Sequence, residues 1–165
     1  MDAELDVMMR NAEGRYPSSE EARRAQEIAK TFDTRFATCQ SLEAREAEIV
    51  RLTAERMLQK FPKFNERYLA REKTERDLTI TLRYIAHAIL RNDAEFLRDK
   101  LLYWMQGVFA SKGFGETVKG TYEILKQVVA TELPSRDAVE VNRYVDVCIQ
   151  SCDRPQDRVQ QAEVA

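Results

Sequence analysis

The scarcity of helix-breaking residues is the feature that most limits what this chain can fold into. Only five Gly and four Pro occur in 165 residues, whereas Ala, Glu, Arg, Leu and Lys are abundant. Those five residue types lose little rotamer freedom in a helix, while Gly and Pro would interrupt one. The composition therefore predicts helix over nearly the whole chain, in one domain of residues 1–153 followed by a polar C-terminal tail of residues 154–165.

Breaks in the helical pattern divide the chain into segments. The turns fall at residues 14–18, 61–65, 91–93, 113–115 and 134–136. Ser18 or Ser19 is placed to cap the helix after the first turn, and that helix continues to about Lys60 with a bend predicted near residues 38–41. We expect seven or eight helices with short links, an all-α globule rather than a simple four-helix bundle.

Two of these segments carry apolar residues at helical spacing. The segment that begins near Arg71 repeats them at Leu78, Leu82, Ile85 and Ile89, and this face should pack on the core. The next helix has its apolar positions at Phe96, Leu97, Leu101, Trp104, Val108 and Phe109.

The charge pattern excludes several classes of partner. The net charge is −2, with 26 basic and 28 acidic residues, and no basic stripe suited to phosphates is present, so nucleic-acid binding is not expected. No segment approaches the ~18 apolar residues of a membrane span, and the acidic start MDAELDVMMR lacks the apolar run of a signal peptide. These features predict a soluble cytoplasmic protein without membrane insertion.

Reactive groups are few. Cys148 and Cys152 lie four residues apart and would share a helix face, but they supply only half of a tetrahedral zinc shell, and Cys39 is distant in sequence. We expect packed thiols and no metal site. The chain has no Ser-His-Asp arrangement, no Gly-rich phosphate loop and a single histidine, so an enzyme is not expected.

Three stretches, in order, resemble segments of the phycobilisome proteins, the bilin-carrying light-harvesting subunits. NAEGRYPSSEEA is similar to the junction between that family's two N-terminal helices and its first globin helix, and ERDLTITLRYIAHAILRND to its pigment-bearing helix. DAVEVNRYVDVCIQ is similar to the last helix of an α-type subunit. The resemblance implies an all-α, globin-like helical bundle with two additional N-terminal helices, as in phycobiliprotein subunits.

The resemblance also locates a pigment site and shows what has changed in it. In the family, a cysteine two residues before an Arg-Asp pair bonds covalently to the bilin, and here that position is Thr74. A threonine hydroxyl is neither acidic nor nucleophilic enough to replace a thiolate. The resemblance implies that Arg76 would hold a propionate and Asp77 would accept hydrogen bonds from pyrrole N–H groups. Further contributions would come from the positive charges and aromatic surface of Arg71, Lys73, Phe109 and Phe114.

Two plainer interpretations stay open. Arg76 and Asp77 are also an ordinary charged opening of a helix, where an acid is favoured. A globin-like fold invites a haem-binding sensor, which needs an axial ligand facing the pocket. His87 is the one histidine, and it stands where the family often has Tyr, which favours a hydrogen-bonded core or interface residue.

The family's assembly surface is altered as well. Its subunits pair through their N-terminal helices, helped by an Asp that meets the Arg of Leu-Arg-Tyr in the partner. Arg83 and Tyr84 are present here, but the acid position is Asn11, which weakens or redirects that pairing because the charge term is lost. We expect a homodimer or heterodimer that buries the apolar side of the first helix; the alternative is that this helix folds back or frays.

Taken with the resemblance, these residues predict a non-enzymatic, bilin-related globin without a covalent chromophore. It would bind a bilin reversibly or serve as an accessory in bilin biosynthesis or phycobiliprotein maturation. Its partners would be the bilin and bilin-synthesis proteins, lyases or phycobiliprotein subunits. The alternative is a structural or regulatory phycobilisome-associated protein with an empty pocket.

Thr74 at the anchor position predicts that no pigment becomes covalently attached. After co-expression with a bilin pathway and a lyase, zinc staining of a denaturing gel should show no fluorescence at the protein's position, because no thioether can form there. A fluorescent band that survives denaturation would contradict this prediction.

Overall fold

The computed structural model describes residues 2–105, 107 and 114–153, and in these residues every regular element is a helix. The helices are α1 (Ala3–Asn11), α2 (Ser19–Lys60), α3 (Pro62–Asn65), α4 (Ala70–Arg91), α5 (Ala94–Leu97), α6 (Gly115–Glu132) and α7 (Ser135–Cys152). α5 continues without a break into a π-helical turn, Arg98–Leu102. The predicted all-α class is confirmed, and the tail of residues 154–165 lies outside the described residues.

Local capping explains where the helices begin. Ser18 caps α2 in a reciprocal box: the Glu21 amide donates to the Ser18 hydroxyl at 3.2 Å, and the Ser18 amide donates to the Glu21 carboxylate at 2.7 Å. The Arg15 side chain, and then the Ser18 amide, lower the pKa of Glu21 to about 2. Asp93 caps α5 by accepting from the Phe96 amide at 3.0 Å. The caps thus fall at the turns that the sequence predicts.

α2 is a single helix of 42 residues, so the chain does not divide into two helices near residues 38–41, where the bend is predicted. This stretch contains no Gly or Pro, and the buried Thr38 hydroxyl lies 2.9 Å from the Asp137 carboxylate on α7. The second of the expected N-terminal helices is therefore continuous with the first helix of the core.

α4 crosses the middle of the bundle and packs against α2 and α7. Its predicted apolar face is confirmed, because Leu82, Ile85 and Ile89 are fully buried and Leu78 is 3% exposed. α6 packs against both α2 and α7 and completes the core. This central position fixes the polar residues at the start of α4 relative to α2 and α6.

The π-helical turn changes the face that follows α5. Leu101, Leu102 and Met105 are buried, whereas Trp104 is 67% exposed. A π turn adds one residue to the helical repeat and rotates later side chains around the axis. Trp104 consequently leaves the face that the regular apolar spacing indicated; Val108 and Phe109 lie outside the described residues.

α1 folds back along α2 after a turn in which Gly14 has a φ of +83°. Arg24 of α2 donates to both carboxylate oxygens of Glu4, at 2.5 and 2.8 Å. Deeper in the bundle, the Asp2 carboxylate lies 2.9 Å from Nη1 of Arg35, and both side chains are buried. That same Nη1 donates to the Leu90 carbonyl at 2.9 Å, so Arg35 links α1, α2 and α4.

The buried Asp2–Arg35 pair should control the docking of α1. Removing one charge from a buried pair costs about 3–5 kcal/mol while the other stays buried. The variant Asp2→Asn keeps a good helix cap, so its main loss is the charge. We expect α1 to undock: amide exchange over residues 3–11 should accelerate at least ~100-fold, while the melting temperature of the core changes little.

The matched control is Asp6→Asn, which removes an acid from the same helix where it pairs only with the exposed Arg10. Wild-type protection of residues 3–11 in Asp2→Asn would show that the apolar contacts of α1 suffice.

Candidate functional site

A cleft opens between α2, α3, α4 and α6, with a volume of about 470 Å³ that includes its mouth. Only about 70 Å³ of this space can hold the centre of a water molecule, which is below the ~300–1,000 Å³ typical of small-molecule sites, so a larger ligand would extend out through the mouth. The described residues that line it are Met57, Phe64, Thr74, Asp77, Leu78, Thr81, Met105, Phe114, Thr117, Val118, Thr121 and Tyr122.

The polar lining is largely committed to the helices themselves. The hydroxyls of Thr74, Thr81 and Thr121 each donate to the carbonyl four residues earlier, at 2.8, 2.9 and 2.7 Å. The wall is consequently mainly apolar. Thr74, which the sequence predicts to occupy the anchor position, is 8% exposed, and its hydroxyl donates to the Ala70 carbonyl.

Asp77 is the one charged residue among the described residues that line the cleft. Its side chain is 44% exposed. Arg76 donates through Nε at 3.0 Å and Nη2 at 2.8 Å, and both bonds reach the same oxygen, Oδ1. Arg76 is not part of the lining, so the structure places Asp77 in the wall and Arg76 beside it. The second carboxylate oxygen of Asp77 makes none of these bonds and can accept from a ligand.

The two other cations that the sequence suggested lie outside the lining. Arg71 is exposed and pairs with Glu75 at 3.4 Å. The Lys73 ammonium donates to the Tyr68 carbonyl at 3.1 Å and lies 5.5 Å from the centre of that ring. Phe109 lies outside the described residues, whereas Phe114 lines the cleft.

An aromatic pair with a cation over it stands at the edge of the cleft. Phe64 of α3 meets Phe114 edge to face, with ring centres 5.6 Å apart. The guanidinium of Arg67 lies 4.2 Å from the centre of Phe114 and 5.6 Å from that of Phe64. The sequence analysis missed Phe64 and Arg67. The available signal was their separation by three residues in the segment that follows Pro62.

Tyr122 contributes a neutral phenol to the cleft. It is 4% exposed, and its hydroxyl lies 3.8 Å from the Met105 sulfur. Burial raises the pKa of Tyr122 well above its usual value, so the phenol keeps its proton at physiological pH.

His87 does not line the cleft. It is exposed on α4, and its ring centre is 6.4 Å from that of Phe96. The haem alternative requires an axial ligand in the pocket, and His87 does not provide one. No group of three or more potential metal ligands occurs in the part of the chain that the structure describes.

The predicted interface residues are partly occupied within the chain. Arg83 donates two hydrogen bonds to Glu46 of α2, at 3.1 and 2.9 Å. Tyr84 is half-buried against Phe96, with ring centres 6.2 Å apart, while Asn11 is exposed at the end of α1. An acid of the same chain therefore meets Arg83, where the family resemblance suggested an acid of the partner.

Comparison with known proteins yields one family. A family model described as phycobilisome protein matches residues 7–152, and this agrees with the globin-like fold expected from the sequence. No individual curated protein matches the chain. Within the residues described above, no helix has both the length and the apolar character needed to cross a bilayer.

The three cysteines lie away from the cleft and are poor nucleophiles. Burial raises the pKa of Cys39 and of Cys152 to about 11 and raises that of the fully buried Cys148 further. The Cys39 and Cys152 thiols also point to backbone carbonyls 3.4 Å away. None of the three is among the described residues that line the cleft.

We expect slow thiol modification in the folded protein. A thiol with a pKa of about 11 is ionised to roughly 0.1% at pH 8, against roughly a quarter for a free thiol. Reaction with a disulfide reagent should be at least ~100-fold slower than in urea and should rise about tenfold per pH unit from pH 8 to 10. A rate that levels off near pH 9 would mean an accessible thiol with an ordinary pKa.

Proposed function

Because the chain belongs to the phycobilisome protein family, we propose that it binds a bilin reversibly in the cleft beside Asp77. Members of this family are light-harvesting proteins rather than enzymes, and they bind bilins, generally through a covalent bond. Thr74 stands where the family resemblance predicts the anchoring cysteine, and this supports binding without a covalent bond.

The observation that carries the proposal is an apolar cleft with one carboxylate in its wall. A bilin has an extended apolar skeleton, N–H donors along its inner edge and two propionates. The apolar wall suits the skeleton, and Asp77 suits the N–H groups because a charged acceptor strengthens such hydrogen bonds. A bound N–H group can use the carboxylate oxygen that Arg76 leaves open.

The buried threonine supports reversible rather than covalent binding. The Thr74 hydroxyl donates to Ala70 at 2.8 Å and has no base beside it among its described contacts. A cargo held only by non-covalent contacts can be handed on. The role that fits best is therefore a carrier or accessory in bilin biosynthesis or phycobiliprotein maturation, in the cytoplasm or at the thylakoid surface. Its partners would be bilin-synthesis proteins, lyases or phycobiliprotein subunits.

One observation favours the second candidate, an interaction protein with an empty pocket. Arg76 already satisfies part of Asp77, so the pair is stable without a ligand. Phe32 and Phe36 of α2 are also about half exposed and stacked at 6.4 Å, which offers a surface to a partner.

Asp77→Asn should weaken bilin binding at least ~10-fold, because a hydrogen bond to a charged group is worth ~1.5 kcal/mol or more. The absorption band of bound biliverdin or phycocyanobilin should also broaden, since the inner N–H groups are no longer held in one geometry. Absorbance titration of wild type and variant measures both effects.

The control is Glu72→Gln, which removes an exposed acid near the start of the same helix without touching the lining. Wild-type protein that binds neither bilin at micromolar concentration would refute the proposal and leave the interaction protein as the better reading.

A further inference from the structure

We propose that Arg67 binds a carboxylate of the bound molecule at the mouth of the cleft, and so selects ligands with free acid groups. This inference rests on the proposed bilin binding and assigns the anion-binding role to a residue outside the Arg76-Asp77 motif. It follows from the position, the surroundings and the free charge of Arg67.

The position of Arg67 is fixed by its own backbone and by two rings. Its amide donates to the Phe64 carbonyl at 3.1 Å, and its carbonyl accepts from the Ala70 amide at 3.1 Å. The guanidinium lies 4.2 Å from the centre of Phe114 and 5.6 Å from that of Phe64, both of which line the cleft. Arg67 itself does not line the cleft, so its side chain is held next to the cleft wall, against two of the lining rings, before any ligand arrives, which lowers the entropy cost of using it.

The guanidinium of Arg67 forms no ion pair with another described residue. Among the described residues, no carboxylate lies within 4 Å of its guanidinium, although the residue is exposed. The neighbouring cations differ, because Arg71 is paired with Glu75 and Arg76 with Asp77. For Arg76 to bind a ligand carboxylate it would have to share or leave Asp77, whereas Arg67 has no carboxylate partner among the described residues to give up.

The chemistry of the group points to a carboxylate. A guanidinium stacked on an aromatic face keeps its N–H donors in the plane of the group, where a carboxylate can accept two of them. Asp77 lies in the cleft wall and can accept from N–H groups. Asp77 and Arg67 would therefore bind the N–H groups and the carboxylate of one ligand. A molecule with N–H groups on its inner edge and an acid group at its periphery satisfies both.

The test compares biliverdin with biliverdin dimethyl ester, which keeps the skeleton and the N–H groups but has no carboxylate. Wild type should bind the acid at least ~10-fold more tightly than the ester, as expected for one charge-assisted hydrogen bond. In Arg67→Gln this preference should fall to about twofold or less, with ester affinity nearly unchanged. Arg71→Gln is the matched control and should keep the wild-type preference; melting curves confirm that each variant is folded.

The outcomes separate the two proposals. If wild type binds biliverdin and Arg67→Gln keeps the full preference for the acid, Arg67 does not bind the carboxylate, while reversible bilin binding stands. Loss of the preference in Arg76→Gln alone would give the role to Arg76. No acid preference in wild type would also overturn the inference, and no binding of either compound would overturn both proposals.

Discussion

The burial of one face of α4 is the constraint on which the rest of the structure depends. Leu82, Ile85 and Ile89 are completely buried, and each such side chain stabilises the fold by roughly 1.5–3 kcal/mol relative to exposure. Because this face is fixed against α2 and α7, the directions of the other side chains on α4 are fixed as well. Thr74 and Asp77 enter the cleft wall, whereas Arg76 and His87 point away from it. The chemistry of the site is thus a consequence of helix packing.

Much of this arrangement can be read from sequence because it depends on local rules. The capping box at Ser18, the Asp93 cap and the apolar repeat of α4 all involve residues within one or two turns of each other. The wall position of Thr74 and Asp77 follows from that repeat once one face of α4 is known to be buried. The family resemblance supplied the remaining step, which was the prediction that the residues at the start of α4 form a pigment site.

Features that depend on contacts between distant segments could not be predicted in the same way. The π-helical turn after α5 has no marker in its sequence, and it alone explains why Trp104 is exposed. Arg83 finds Glu46, 37 residues earlier in the chain, only because α2 and α4 are packed together. Arg67 lies in a connector without periodicity. Its contact with Phe114 depends on the packing of α3 near the start of α6, which the sequence pattern does not predict.

The unbroken length of α2 has a consequence for how this protein could work inside a larger complex. From Ser19 to Met57 the helix covers 38 steps, or about 57 Å at ~1.5 Å per residue, whereas a folded chain of this size has a radius of gyration of only about 15 Å. The tip of the α1–α2 hairpin and the mouth of the cleft therefore lie near opposite ends of α2. A partner bound at the tip would leave the mouth of the cleft uncovered.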